Sequence, residues 1–200
     1  MNVAPLFSIP LAISTLDREL TKKEADFIII QDRYKTTGNK STYKKNVLNE
    51  PALFVLRDFI EQELKTYSDS VMCYTDVELY ITQSWINYND PKEFHHQHVH
   101  ANSIVSGVFY ITVNPEDKIQ FYDRKPKDML IFNRSSYNQY NSIHWWWPVA
   151  VNQLFLFPSN MEHGVPSIEG AEQTRISLSF NTFFRGKVGT HDEATLLELE

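Results

Sequence analysis

The hydrophobic and polar positions change their texture near residue 76. Before that point, apolar residues are grouped at helical spacing. Thr21 with Glu24 forms a capping-box pattern ahead of ADFIII. A second helix is expected from about Glu50, with Pro51 in its first turn, through FVLRDFIEQEL. The polar, lysine-rich stretch from Lys35 to Lys45 reads as an exposed loop between them. The first residues, MNVAPLFSIPLAIS, carry prolines at 5 and 10 and suit an extended edge segment.

After residue 76 the pattern becomes short runs rich in β-branched and aromatic residues: VELYITQSWINY, SIVSGVFYITV, KIQFYD, DMLIFN, NQLFLF and TRISLSFNTFF. Their number and spacing predict an antiparallel sandwich or barrel, and short strands around His98 and His144 would bring the total to eight. The fold class expected is mainly β with flanking α-helices. Residues 1–75 form a helical and edge-strand support, 76–184 the β core, and 185–200 a polar, acidic tail that is frayed or a short helix.

Composition narrows the picture. Two hundred residues suffice for one domain with a sizeable core, and 42% hydrophobic with 14% aromatic content excludes a disordered chain. No apolar run approaches the ~20 residues of a membrane span. The amino terminus lacks a basic n-region, so a signal peptide is not expected. A net charge of −6, from 19 basic and 25 acidic residues with no basic stripe, argues against a nucleic-acid partner. Cys73 stands alone and cannot form an intrachain disulfide, which fits a cytoplasmic location. It follows an apolar stretch and is expected to be a buried small hydrophobe. Nothing in the pattern chooses between monomer and homodimer.

The histidines carry the candidate chemistry. Four of seven lie in FHHQHVH. In an extended segment residues two apart share a face, so His98 and His100 can meet one ion, although His96 has the same parity. His163 follows the apolar run LFLFPSNME. A near pair plus a distant third ligand is how β-barrels build open three-ligand metal sites; the plainer alternative is a polar loop enriched in histidine by chance. In RISLSFN, alternation puts Arg175, Ser177, Ser179 and Asn181 on one face and Ile176, Leu178 and Phe180 on the other. That polar face either meets solvent or lines a barrel bore, where the planar guanidinium can grip a carboxylate through two hydrogen bonds, with Ser177 donating a third.

These residues, taken in order, resemble a family. Trp85 to Asn87, His98 to His100, Ser106 to Tyr110, Phe157 to His163 and Arg175 to Asn181 are similar to motifs of the 2-oxoglutarate- and Fe(II)-dependent oxygenases. The nearest likeness is a prolyl 4-hydroxylase-related branch found in marine bacteria and phages. The resemblance covers roughly residues 76 to 184. It implies a double-stranded β-helix (jelly-roll) barrel with Fe(II) held by His98, His100 and His163. It also implies that Arg175 and Ser177, with Tyr110 and Asn181, serve the cosubstrate 2-oxoglutarate. The implied reaction consumes dioxygen, yields succinate and CO2, and hydroxylates an unidentified substrate, a peptidyl side chain or small metabolite. The chain departs from the family at His100, where a carboxylate is usual. Either three imidazoles ligate, or a nearby acid such as Glu93, or water, completes the shell.

Three other classes compete. A cupin-type three-histidine metalloprotein would share the barrel, but no glutamate follows His100 at the spacing of its motif, and it gives Arg175 no task. A zinc hydrolase would need a general base, for which Glu162 is the neighbour of His163. A non-catalytic barrel would be expected to have lost ligands. The Trp145-Trp146-Trp147 run is expected to be core if buried and a stacking platform if exposed. The long segment from Arg124 to Trp147 is a candidate lid.

Overall fold

Residues 1–123, 130 and 132–200 are described by a computed structural model. The amino-terminal segment enters the fold at β1 (Ala12–Thr15). Helix α1 (Lys22–Ile29) begins at the expected capping box: the Thr21 amide donates to Glu24 Oε2 at 2.7 Å, and the Glu24 amide donates to Thr21 Oγ1 at 3.3 Å. Arg18 clamps the same carboxylate with two bonds of 2.8 and 2.7 Å. Strands β2 (Arg33–Lys35) and β3 (Lys40–Thr42) follow as a hairpin. A 3₁₀ turn, Pro51–Leu53, leads into α2 (Phe54–Thr66), which ends in a π-helical turn, Tyr67–Val71.

The remaining strands are β4 (Val77–Asn89), β5 (His95–His98), β6 (Val105–Thr112), β7 (Lys118–Tyr122), β8 (His144–Pro148), β9 (Gln153–Pro158), β10 (Glu162–Val165), β11 (Arg175–Val188) and β12 (Leu197–Leu199). Among the described residues they form two antiparallel sheets. The larger has the order β1-β9-β6-β11-β4-β3-β2, with β12 on the far half of β11; the smaller is β5-β10-β7-β8. The sheets face one another as separate ladders and do not close into a continuous barrel. No helix among the described residues is long and apolar enough to cross a membrane.

Alternation on the larger sheet decides where the core sits. Ile86, Phe109, Leu154, Leu156, Leu178 and Phe180 point outward and are buried beneath Leu53, Leu56, Ile60 and Leu64, which recur at helical spacing along one face of the α2 segment. Each such side chain contributes about 1.5–3 kcal/mol by leaving water. Gly107 of β6 is required there: a Cβ at this position would lie 2.1 Å from the Phe180 ring. The inward face carries a smaller apolar cluster, including Val108, Phe155 and Phe157, which packs with Phe121 of the smaller sheet, beside a row of polar residues.

Several expectations are corrected. The Lys35–Lys45 stretch is not one exposed loop. Lys40 and Ser41 pair with Tyr88 and Asn87 of β4, and Thr42 is fully buried, its hydroxyl accepting from the Ile86 amide at 3.1 Å. A polar strand is stable at this place because its hydroxyls saturate backbone groups. Cys73 is exposed, not buried: it occupies a turn at φ +53° ahead of β4, and the turn directs its side chain outward. The tail forms β12 against β11 rather than a helix or a frayed end, with Lys187 and Glu198 3.3 Å apart. The tryptophan run is not core. Trp145, Trp146 and Trp147 are 38, 49 and 43% exposed, because β8 is the edge of the smaller sheet. Half of the expected DMLIFN strand falls on residues outside those described, as does the start of the Arg124–Trp147 segment.

Candidate metal and carboxylate site

The larger sheet presents its inward residues in register. Asn87, Ser177 and Tyr110 stand abreast on β4, β11 and β6; Trp85, Ser179 and Val108 form the next row, and Gln83, Asn181 and Ser106 the third. Arg175 is opposite Asn89 at the end of the β4–β11 ladder. Across the gap, the smaller sheet pairs His163 directly with His98. His100 lies just past β5 and is fixed by its amide, which donates to the Ser159 carbonyl at 3.0 Å. A cavity of about 450 Å³, part of it open to solvent, is lined by the histidines together with Arg175, Ser177 and Tyr110.

The three imidazoles converge on one point. One ligand atom from each of His98, His100 and His163 lies within 4.8 Å of the others. In each ring Nδ1 faces an oxygen: His96 O at 2.7 Å, Asn181 Oδ1 at 2.6 Å and Met161 O at 2.9 Å, respectively. A carbonyl oxygen offers no proton, so Nδ1 is the protonated nitrogen in all three rings and Nε2 carries the lone pair. The Nε2 atoms of His98 and His100 are 3.1 Å apart. Two bare lone pairs at that distance repel, and a shared cation removes the repulsion. Burial keeps the rings neutral: it lowers the pKa of His163 to about 3 and of His100 to about 4, and lowers that of His98. Neutral imidazole is the form that binds a metal.

Arg175 is 3% exposed and has no carboxylate partner among the described residues. Its Nη2 donates to Asn89 Oδ1 at 3.2 Å, while among the described residues Nε and Nη1 have no hydrogen-bond partner, and neither does Asn89 Nδ2. Burial lowers its pKa, with Tyr110 and Asp117 opposing that shift. Buried N–H groups of a guanidinium are costly when unpaired, and a carboxylate entering the cavity would satisfy them bidentately. The residues therefore fit both a divalent metal and a carboxylate.

The structure brings most of the expected site residues to one cavity. Tyr110 is buried, packed edge-on against Phe155 at 5.4 Å, and burial raises its pKa. Asn181 Oδ1 accepts from His100 Nδ1 and, at 3.1 Å, from Ser106, so this side chain orients a ring. Glu93 is turned away and accepts from the Asp90 amide at 2.9 Å. Two residues were not anticipated. His95 enters the cavity and stacks on His98 at 4.6 Å, because a bulge places three steps of β5 against two of β10 and reverses the parity; His96 is left exposed. Asn89, the partner of Arg175, continues the alternation of Trp85 and Asn87 and could have been read from it.

Residues 83–181 match a family described as "Putative 2OG-Fe(II) oxygenase". That match spans just under half of the chain. No curated protein matches. Among solved structures, the chain is similar to a 2OG-Fe(II) oxygenase family oxidoreductase from Burkholderia pseudomallei, with TM-score 0.56 and 12% identity over 79% of this chain and 74% of that one. A Pseudomonas putida prolyl-4-hydroxylase gives TM-score 0.53 and 13% identity over 90 and 95%. HygX from Streptomyces hygroscopicus, solved with nickel and 2-oxoglutarate bound, gives 0.54 and 8% over 86 and 83%. Likeness at such identities is one of fold, the double-stranded β-helix. The family match, over just under half of the chain, points to Fe(II) and 2-oxoglutarate as cofactors, and the histidine triad could bind such an iron.

Proposed function

We propose that this protein is a hydroxylase in which His98, His100 and His163 hold Fe(II) and Arg175 holds the distal carboxylate of 2-oxoglutarate. One observation carries the reading. Three unprotonated Nε2 atoms converge in the same cavity as a buried guanidinium two of whose nitrogens have no partner among the described residues. A metal answers the first and a carboxylate the second. The bound iron, with 2-oxoglutarate and dioxygen, supplies the oxidising chemistry, which yields succinate and CO2.

The chain's own residues bind, orient and shield. Asn181 and the carbonyls of His96 and Met161 fix the three rings with Nε2 inward. Asn89 steadies Arg175 and offers its free Nδ2 beside it, and Ser177 stands next along the same face. Phe157, packed edge-on to His163 at 4.7 Å, and Val108 exclude water from the cavity wall. Three neutral imidazoles leave the site one charge unit more positive than two imidazoles and a carboxylate, which favours a dianionic cosubstrate. The substrate is a peptidyl side chain or small metabolite, as in the prolyl 4-hydroxylase-related branch that the motifs resemble.

The test is succinate formation from 2-oxoglutarate by anaerobically iron-loaded protein after oxygen is admitted. Slow turnover is expected without substrate, and none in Arg175→Ala. Absence of turnover, together with absence of 2-oxoglutarate binding to the iron-loaded protein, would overturn the reading and favour a cupin-type three-histidine protein.

A further inference from the structure

The cavity continues past Trp85, His98 and His100 into a shallower groove enclosing about 850 Å³ and open to solvent along one side. Its far wall is the β2–β3 hairpin and the residues that follow, with Tyr34, Ser41 and Lys45 facing it. This wall is anchored at both ends. The Phe94 amide donates to the Gly38 carbonyl at 3.0 Å, and the Ser84 amide donates to the Lys45 carbonyl at 2.8 Å. At Gly38 a Cβ would lie 2.6 Å from the Phe94 carbonyl oxygen, so the hairpin tip is seated closely on the start of β5.

The charge on that wall is distinctive. Lys40 and Lys44, which precede Lys45 in sequence, each pair with a carboxylate, Asp90 and Glu50. Lys45 pairs with none among the described residues. Its Nζ donates to two neutral oxygens, Tyr34 Oη at 3.1 Å and Ser41 Oγ at 3.2 Å, and lies 4.8 Å from the Tyr34 ring centre and 5.9 Å from that of Trp85. An ammonium has three protons to donate, so one remains for a ligand. No carboxylate lines the groove among the described residues, although the chain as a whole carries a charge of −6. Trp85 stacks on His100 with ring centres 5.7 Å apart and both line the groove, so a molecule held there lies beside the metal-site histidines.

We propose that this groove binds the primary substrate, and that the substrate is a small molecule with one carboxylate, held by Lys45 with its apolar body against Tyr34 and Trp85. A single ammonium matches one carboxylate charge; a phosphate dianion would ask for more. The aromatic rings on either side strengthen the cation's hold and offer flat apolar surface to the body of the molecule. That the ligand is a substrate rests on the oxygenase reading. That the groove selects carboxylates does not.

The experiment uses metal-free full-length protein and ligand-observed NMR with phenylacetate, indole-3-acetate and hexanoate, each beside its primary amide. The acids are expected to bind in preference to the amides. Lys45→Met should weaken acid binding by about tenfold or more, as for loss of a charge-assisted hydrogen bond, and Lys45→Arg should retain the preference. Lys45 is exposed, so neither variant threatens folding. Arg175→Met should leave the preference in place. Equal binding of acids and amides, a preference that survives Lys45→Met, or one lost in Arg175→Met instead would overturn the proposal. Succinate formation without a Lys45-dependent preference sinks the groove alone. A Lys45-dependent preference without succinate sinks the oxygenase reading and leaves a carboxylate-binding groove.

Discussion

The two faces of β11 are made of alternate residues on one strand and obey opposite rules. Outward, Leu178 and Phe180 are fully buried against the helices and have nothing to do but pack. Inward, Arg175, Ser177, Ser179 and Asn181 are almost as buried, yet they are polar, and Arg175 leaves hydrogen-bonding groups unpaired. Burial alone therefore does not separate structure from function in this molecule. What separates them is whether burial has been satisfied from within the chain. The outward face is complete by itself; the inward face is complete only when something enters.

That comparison breaks first on its apolar side. Phe180→Ala should lower unfolding free energy by about 3–5 kcal/mol in chemical denaturation, with metal affinity unchanged under folding conditions. A loss of metal affinity with little loss of stability would place Phe180 on the functional side of the strand. Next in size is the orienting role of Asn181. Asn181→Ala should cut metal affinity by about 10–100-fold in competition against a chelator, with the far-UV spectrum preserved. Unchanged affinity would mean that His100 does not need its Nδ1 partner.

Arg175 sharpens the contrast from the other direction. Arg175→Met fills the same space without an unpaired charge, so the metal-free protein should be equally stable or more stable by about 1 kcal/mol, while 2-oxoglutarate binding is lost. A marked destabilisation would make Arg175 structural. The smallest effect is the response to pH. The ordinary imidazole value is 6.5, whereas the folded cavity holds His100 neutral to about 4 and His163 to about 3. The unfolded chain thus takes up protons that the folded one refuses. Thermal melts of the metal-free protein should show full stability above about pH 6.5 and a decline as pH falls toward 4.

Much of this was legible in the sequence, for definable reasons. β11 announces itself because one face is buried in apolar packing and alternation records it, and β9 because its run is apolar on both faces. The metal-site histidines are legible because His98 and His163 sit on strands whose parity is regular up to the site. His95 was not, since the bulge in β5 erases the parity on which reading depends. The β2–β3 hairpin was missed for a different reason: Thr42 is buried by hydrogen bonding and not by hydrophobicity, so a run of threonine, serine and lysine looks like a loop. The tryptophan run failed in the opposite sense, because apolar residues at a sheet edge carry no sign that they are exposed. Asn181 was assigned by its position in a motif, and the register of β11 with β6 shows what position alone does not, that it stands beside Ser106 and reaches His100.

The central claim is that three histidines are already set, neutral and with Nε2 inward, to receive one ion. Anaerobic calorimetric titration of Fe(II) into the metal-free protein near pH 7 tests it most directly, run in two buffers of different ionisation enthalpy. The account predicts one ion per chain, no appreciable proton release, and loss of binding in both His98→Ala and His163→Ala. Binding that survives either substitution, or no binding at all, would contradict it.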